Sequence, residues 1–262
     1  MPAFTIITVC LNIASTIRRT CESIVNQTFQ DFQWIVVDGA STDGTLDILK
    51  EYSNRIDILI SEPDKGIYNA MNKGIRLVNG EYINFMNGGD EFYDNNVLKN
   101  VYESNNNKDV IYGGINIIDN SENGNVIVNI PTTIPDKRKF YQWSIHHQST
   151  FIKTNVQKKY PFNEQYKICA DYDFFVKILF KGYTFAIIPT IIAKFYSGGY
   201  GCINHEKALQ ENEVIRKKYY RIFDKLKYDN NCIEKINFIK MVITHPRYIA
   251  GWLKKKIKNI FN

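Results

Sequence analysis

The sequence predicts an α/β protein: an open, doubly wound, mostly parallel sheet flanked by helices, followed by a basic helical C-terminal segment. Three observations lead there. Over the first hundred residues, short apolar runs alternate with amphipathic stretches of helical period. Each apolar run there ends in a loop rich in Asp, Asn, Ser or Gly. After Gly201 the pattern turns helical and basic to the end of the chain.

Residues 4–10 (FTIITVC) read as a buried strand. Residues 15–27 place Ile17, Cys21, Ile24 and Val25 at helical spacing, with Ser15 as N-cap. Residues 33–38 (QWIVVD) form a second strand ending at Gly39, 45–53 a short amphipathic helix, and 56–61 (IDILIS) a third strand. A helix over 66–78 carries Ile67, Ala70, Met71, Ile75 and Val78 on one side, and 81–86 (EYINFM) make a fourth strand. Strands separated by single helices imply parallel βαβ units. Further on, 110–118 and 124–130 read as a hairpin across the turn 119–124. Residues 148–152 read as a short strand, and 171–181 as a helix with Phe174, Phe175, Ile178 and Leu179 inward. Residues 183–188 and 191–196 read as two apolar strands around Pro189.

With 262 residues, 44% hydrophobic and 23% charged, the chain can bury a sizeable core and is neither disordered nor collagen-like. The formal net charge of +6 is too mild to demand a nucleic-acid partner, and none is expected. That average hides a segregation: −5 over residues 1–100, +3 over 101–200 and +8 over 201–262. The charge-free run 1–17 is too polar to span a membrane and lacks a basic leader, so a cytoplasmic protein is expected. The five cysteines are scattered, with no zinc spacing, and read as reduced thiols.

Open α/β sheets bind ligands at the carboxyl ends of their strands. That rule singles out the loops Leu11–Ser15, Gly39–Gly44, Glu62–Gly66 and Asn87–Glu91. In VVDGASTDGT (36–45), Asp38 can accept hydrogen bonds from a ribose or a base, and Ser41 or Thr42 can cap the next helix; a plain strand-to-helix turn has the same composition. In SEPDKGIYNAMNKG (61–74), Asp64 and Lys65 precede a helix bearing Asn69, Asn72 and Lys73, and the lysines can balance phosphate charge. In FMNGGDEF (85–92), Asp90 follows two glycines that admit a ligand closely, and its carboxylate suits Mg²⁺ or Mn²⁺; it could equally cap the next helix. No GxxxxGK[ST] or GxGxxG occurs, which argues against a P-loop kinase and a nicotinamide enzyme.

These segments, in this order, together with TVCLN (8–12), HHQSTF (146–151) and ADYDFFVKI (170–178), resemble glycosyltransferase family 2, the nucleotide-sugar-dependent enzymes of GT-A fold. The resemblance covers about residues 4–200. It is nearest to the branch of colanic-acid and other surface-polysaccharide transferases. It implies a GT-A catalytic domain over 1–200, with a nucleotide-binding half (1–100) and an acceptor-side half (101–200), before the basic segment 201–262. It implies donor contacts by Thr8, Asn12, Asp38, Asp64, Lys65, Asn72, Gly89 and Asp90, with Asp90 binding a divalent metal, Mn²⁺ or Mg²⁺, on the diphosphate. Gly89 stands where many members have Asp. Asp171 matches the general base, with Asp173 its competitor, and Ala170 replaces the Glu that usually precedes it. His147, Gln148 and Trp143 are candidates for acceptor or diphosphate contact.

The implied reaction is transfer of a sugar from a nucleotide-sugar, a UDP-sugar first, to a hydroxyl of a saccharide or polyprenyl-linked acceptor in surface polysaccharide synthesis. One base in line with the anomeric carbon gives single displacement with inversion. The family's spanning helices and QxxRW motif are absent, so single-sugar, non-processive transfer is expected. The tail 246–262 interleaves Tyr248, Ile249, Trp252, Leu253, Ile257, Ile260 and Phe261 with lysines, which suits an anionic membrane surface at the inner face, or packing on protein, including a homodimer. The rival readings are a nucleotidyltransferase-like enzyme, which would need more acidic metal ligands, and a non-catalytic nucleotide-sugar-binding protein with a membrane-contacting tail.

Overall fold

The computed structural model describes residues 1–119, 126–142, 144–198 and 204–220. The chain divides into two compact units, Met1–Ile215 and Arg216–Asn262, and the whole sheet lies in the first. Trp143, most of the turn 119–124 and the tail 246–262 lie outside the described residues.

The first half is a run of βαβ units. Strands β1 (Phe4–Cys10), β2 (Phe32–Asp38), β3 (Ile58–Ser61) and β4 (Tyr82–Phe85) pair in parallel in the order β3-β2-β1-β4. Helices α1 (Ile17–Val25), α2 (Thr45–Glu51) and α3 (Ile67–Arg76) make the crossovers. All seven residues of β1 are buried, as a central strand with both faces covered requires. One face packs Ile17, Cys21 and Ile24 of α1 with Leu49 of α2 against Ile6, Trp34 and Val36. On the other face α3 comes so close that a Cβ at Gly74 would lie 2.7 Å from Ile7.

The second half completes the sheet. It contains β5 (Glu91–Phe92), α4 (Val97–Glu103), β6 (Val110–Ile118), β7 (Val126–Asn129), α5 (Lys137–Gln142), a 3-10 turn (His147–Ser149), β8 (Thr150–Lys153), α6 (Thr154–Lys159), α7 (Ala170–Phe180), β9 (Phe185–Tyr196) and α8 (His205–Tyr219). The order is β3-β2-β1-β4-β8-β6-β9-β5, with β7 on β6. β6 and β9 run parallel to the first four strands, whereas β5, β7 and β8 run opposite. Phe162 joins the second face through ring contacts with Tyr68, Phe85 and Phe174.

Several boundaries differ from the sequence reading. The helix expected from Ser15 starts at Ile17, because the Ile13 carbonyl accepts from the Thr16 and Ile17 amides and no side chain caps it. α2 starts at Thr45 with Gly44, held at φ 97°, in the N-cap position, so neither Ser41 nor Thr42 caps it. The strand expected from 148 starts at Thr150. Leu179 is only half-buried. The two strands expected around Pro189 are one strand of 12 residues. The ladder shifts register at Gly114, between partners of Ile187 and Ile191, so a proline without an amide proton falls at an irregularity. Gly113 makes that possible, since a Cβ there would lie 2.4 Å from the Thr190 carbonyl.

The carboxyl ends of β1, β2, β3, β4, β6 and β9 therefore share one edge of the sheet. β8 runs the other way, so its beginning reaches that edge and brings His147–Ser149 with it.

Candidate active site

The first wall of the site is a set of loops sewn together by short polar side chains. Cys10 pairs with Asp38 at the ends of β1 and β2, so the loops after them leave side by side. Asn12, at φ 50°, donates its amide to Ser41 Oγ (2.8 Å) and accepts from the Thr42 amide at Oδ1 (2.9 Å). The Asp43 carboxylate accepts from Thr45 Oγ1 (2.6 Å) and the Ala14 amide (2.8 Å), and these bonds hold it below the ordinary carboxylate range. Asp38 is fully buried, and its carboxylate accepts from the Ser41 amide (3.0 Å), Ser41 Oγ (2.5 Å) and Ser61 Oγ (2.6 Å). Asp64 lies across the mouth, accepting from the Gly66 amide at 2.8 Å. A Cβ at Gly39 would stand 2.7 Å from its other oxygen, so glycine is what lets the second loop pass beneath it. Lys65 is exposed beside it.

Two residues expected to contact the donor have protein partners here. Thr8 is fully buried, and its hydroxyl accepts from the Trp34 indole N–H at 3.1 Å, inside the core. Asn72 is turned away from the strand ends and clamps the segment before α7: its Nδ2 donates to the Phe162 carbonyl and Glu164 (both 2.9 Å), and its Oδ1 accepts from the Phe162 amide (3.0 Å). Lys73 is likewise engaged, with Glu62 at 2.8 Å and the Pro63 carbonyl at 2.9 Å.

The second wall is the Asn87–Asp90 loop. A Cβ at Gly88 would lie 2.2 Å from Ile13, so the loop can lie on the first one only with glycine there. Gly89, at φ 99°, donates to Thr20 Oγ1 (2.9 Å), and Arg19 Nε donates to its carbonyl (2.7 Å) while the guanidinium stacks 3.6 Å above Tyr196. Asp90 is 6% exposed; it accepts from Gln148 Nε2 at 2.8 Å and from the Tyr196 amide at 3.3 Å. Burial pushes its carboxyl up to about 6, against the pull of the Gln148 hydrogen bond and the His147 charge.

The third wall is the start of α7. Asp171 stands in its first turn; one carboxylate oxygen accepts from Tyr68 Oη (3.0 Å) and the Tyr172 amide (2.8 Å), and the other meets His147 Nδ1 at 3.0 Å. His147 Nε2 lies 2.9 Å from Asn87 Nδ2. A carboxylate only accepts, so a ring proton sits on Nδ1, facing Asp171. Burial would raise the Asp171 carboxyl, but the hydrogen bond and charge of His147, with the Tyr172 amide and Tyr68 hydroxyl, hold it below the ordinary value. The dipeptide His147–Gln148 thus grips one carboxylate with each side chain, Asp171 and Asp90. Asn84 of β4 anchors this turn by donating to the Gln148 (3.0 Å) and Thr150 (2.9 Å) carbonyls. Asp173 is fully buried and paired with Lys177 at 3.3 Å, away from this cluster.

Sequence reasoning missed Tyr68, Arg19, Thr20, Tyr196 and Glu211. Glu211 of α8 accepts from three successive amides, Lys167, Ile168 and Cys169, at 2.8–3.0 Å, just before α7. Only Tyr68 lay inside a motif already singled out.

The donor set at Asp90 fits a divalent metal that also takes phosphate oxygens. Among the described residues no three His, Cys, Asp or Glu side chains cluster to hold an ion. Yet Asn87 Oδ1 and Gln148 Oε1, in the residues that touch His147 and Asp90, are buried oxygens without a protein hydrogen-bond partner. One carboxylate with amide oxygens is a hard donor set of the kind Mg²⁺ and Mn²⁺ accept.

Comparison with known proteins adds to this geometry. The family model described as glycosyl transferase family 2 matches residues 5–172. A PGL/p-HBAD biosynthesis glycosyltransferase of Mycobacterium bovis is 29% identical over 183 residues, 67% of this chain and 69% of that protein. Among solved structures, S. aureus TarS superposes with a TM-score of 0.63 at 20% identity, covering 88% of this chain; this chain spans 41% of that one. Its 1–349 fragment has been solved in complex with UDP-GlcNAc. The mannosyltransferase PcManGT of Pyrobaculum calidifontis, solved with GDP-Man and Mn²⁺, superposes with a TM-score of 0.57 at 19% identity over 81% of this chain and 61% of that one.

Proposed function

The chain belongs to glycosyl transferase family 2 and is a glycosyltransferase, and from that premise we propose that it moves a sugar from a nucleotide-sugar, a UDP-sugar first, to an acceptor hydroxyl with inversion, in surface polysaccharide or glycolipid synthesis. The observation that carries this reading is the pair of carboxylates gripped by His147 and Gln148, Asp171 held ionised and Asp90 enclosed. The named partners of related proteins, UDP-GlcNAc and GDP-Man, support the donor class.

In this mechanism the donor lies over the loops after β1 to β4, with Asn12, Asp38, Asp64 and Lys65 toward the nucleoside and Gly89 and Asp90 toward the diphosphate. Asp90, with the Asn87 and Gln148 amide oxygens, would hold Mn²⁺ or Mg²⁺, which when bound offsets charge on the departing diphosphate. Asp171 takes the proton of the acceptor hydroxyl. It is the carboxylate in the cluster held ionised by its neighbours, and its Nδ1–H partner keeps one oxygen oriented. His147 and Gln148 then act on the two carboxylates rather than on the acceptor. The protein is non-processive and works at the cytoplasmic side, with domain 1–200 carrying the chemistry and 201–262 forming a basic helical segment.

The test is a thermal-shift screen with UDP-, GDP- and dTDP-sugars plus Mn²⁺, repeated with Asp171→Asn. One nucleotide class should raise the melting temperature of both proteins, while transfer by the variant falls about 10²–10⁴-fold. Near wild-type transfer by Asp171→Asn would remove the base assignment.

A further inference from the structure

We propose that the β7 ribbon and the segment behind it, residues 127–139, form a lipid-docking face that seats the protein on an anionic membrane surface beside the acceptor side of the site. This goes beyond the transferase reading and uses none of the tail.

The ten residues 126–135, VIVNIPTTIP, carry no charge. Ile127 is 61% exposed, Val128 52%, Ile130 45% and Ile134 58%. Adjacent strand residues point to opposite faces, so with Ile127 and Val128 both in solvent neither face of β7 is packed. Its outer edge is also bare: among the described residues β7 pairs only with β6, and no lysine or bulge guards it. An edge ribbon with apolar side chains exposed on both faces marks a contact site.

The next residues say what the contact is. Lys137, Arg138 and Lys139 come directly after, with Lys137 and Arg138 exposed. Asp136, beside them, accepts from the Lys139 amide at 2.8 Å, and Lys137 Nζ lies 4.4 Å from the centre of the Phe180 ring. Of the two acids in the turn before β7, Asp119 and Glu122, the first accepts from Ser197 Oγ at 3.0 Å. An apolar strip with a cationic collar matches the headgroup–acyl boundary of a bilayer, where nearby cations strengthen binding to anionic lipid. Edge-to-edge pairing with a second copy would use the bare edge but would bring two collars of like charge together.

The position also fits. β9 occupies one edge of β6, so β8 and β7 share the other, β8 along Val110–Tyr112 and β7 along Ile115–Ile118, nearer the site. The residues that lead into β8 are His147–Ser149. A lipid surface against β7 would present a headgroup-linked hydroxyl at the same end of the sheet as Asp171.

The experiment uses full-length protein with a single Ile130→Trp change and vesicles of phosphatidylcholine with 30% phosphatidylglycerol carrying brominated acyl chains. The variant should lose clearly more tryptophan emission than wild-type protein. That excess should vanish when Arg138→Glu and Lys139→Glu are added, and should shrink several-fold in pure phosphatidylcholine. Ile127→Ser with Ile134→Ser should lower co-sedimentation several-fold while donor hydrolysis is unchanged, which shows an intact fold. Vesicle binding without excess quenching at 130 would overturn the proposal, as would no vesicle binding at all. A dimer in sedimentation velocity that Ile127→Ser and Ile134→Ser dissolve, with vesicle partition unaltered, would assign the strip to a second copy instead.

Discussion

Asp90 and Asp171 sit on either side of one dipeptide, yet their proton affinities move in opposite directions, and each direction can be measured. For Asp90 the folded value is about 6 against an ordinary 3.8. The fold therefore favours the protonated form. Without metal, stability is full below about pH 4 and is lost as pH rises through 6, by up to about 3 kcal/mol. Asp90→Asn has no charge to bury, and Gln148 can turn its amide to meet it. In EDTA the variant should be more stable than wild type to urea at pH 8 and equal at pH 4, while Mn²⁺ no longer protects it. Asp171 owes its low value to His147 first among the groups that oppose burial. His147→Ala should lower kcat about 10–100-fold with donor affinity kept, and move the acid limb of the kcat profile to higher pH. A merely structural histidine would leave that limb in place. Asp171 was singled out through the resemblance of ADYDFFVKI to the family's motif; its partners were not legible, because Tyr68 and His147 lie 103 and 24 residues away. The partners of Thr8 and Asn72 were unreadable for the same reason: a polar residue near a strand end looks alike whether it faces a ligand, a tryptophan or a neighbouring loop.

At the scale of elements, the approach of α7 to the site depends on how its N-terminal amides are satisfied. The N-cap residue Cys169 offers no side-chain cap; Glu211 accepts from three amides just before α7, and the Tyr68 hydroxyl proton is shared between the Ile168 carbonyl (2.5 Å) and Asp171 (3.0 Å). Glu211→Ala should destabilise by about 2 kcal/mol and reduce kcat with little change in donor affinity. Glu211→Gln, which keeps an oxygen for Ile168 and Cys169, should recover part of both, as read by urea titration and steady-state rates. The strands and first three helices were readable because burial on one face writes a period of two or 3.6 into the sequence. The helix starts were not, since α1 and α2 use backbone turns and a left-handed glycine instead of the side-chain caps their sequences offered.

For the whole molecule, donor and metal should act as one ligand. A nucleotide-sugar at a hundred times its dissociation constant stabilises by about 2.7 kcal/mol. EDTA should erase most of the thermal shift from donor and abolish transfer, and Mn²⁺ should restore both. The same effect of donor with and without EDTA would argue that the diphosphate is held by side chains alone. Among the described residues no helix is long and apolar enough to cross a membrane.

By itself the sequence determined the α/β alternation and the loops at the carboxyl ends of the strands. These come from periodicity and from turn residues, which are local properties of the chain. The tertiary structure alone decided which carboxylate does what. Asp38 and Asp90 both lie beside glycine in loops at strand ends, but serines close over one while Gln148, 58 residues on, and Tyr196, 106 residues on, enclose the other. Proton affinity depends on such neighbours and on exclusion of water, and neither leaves a period in the sequence.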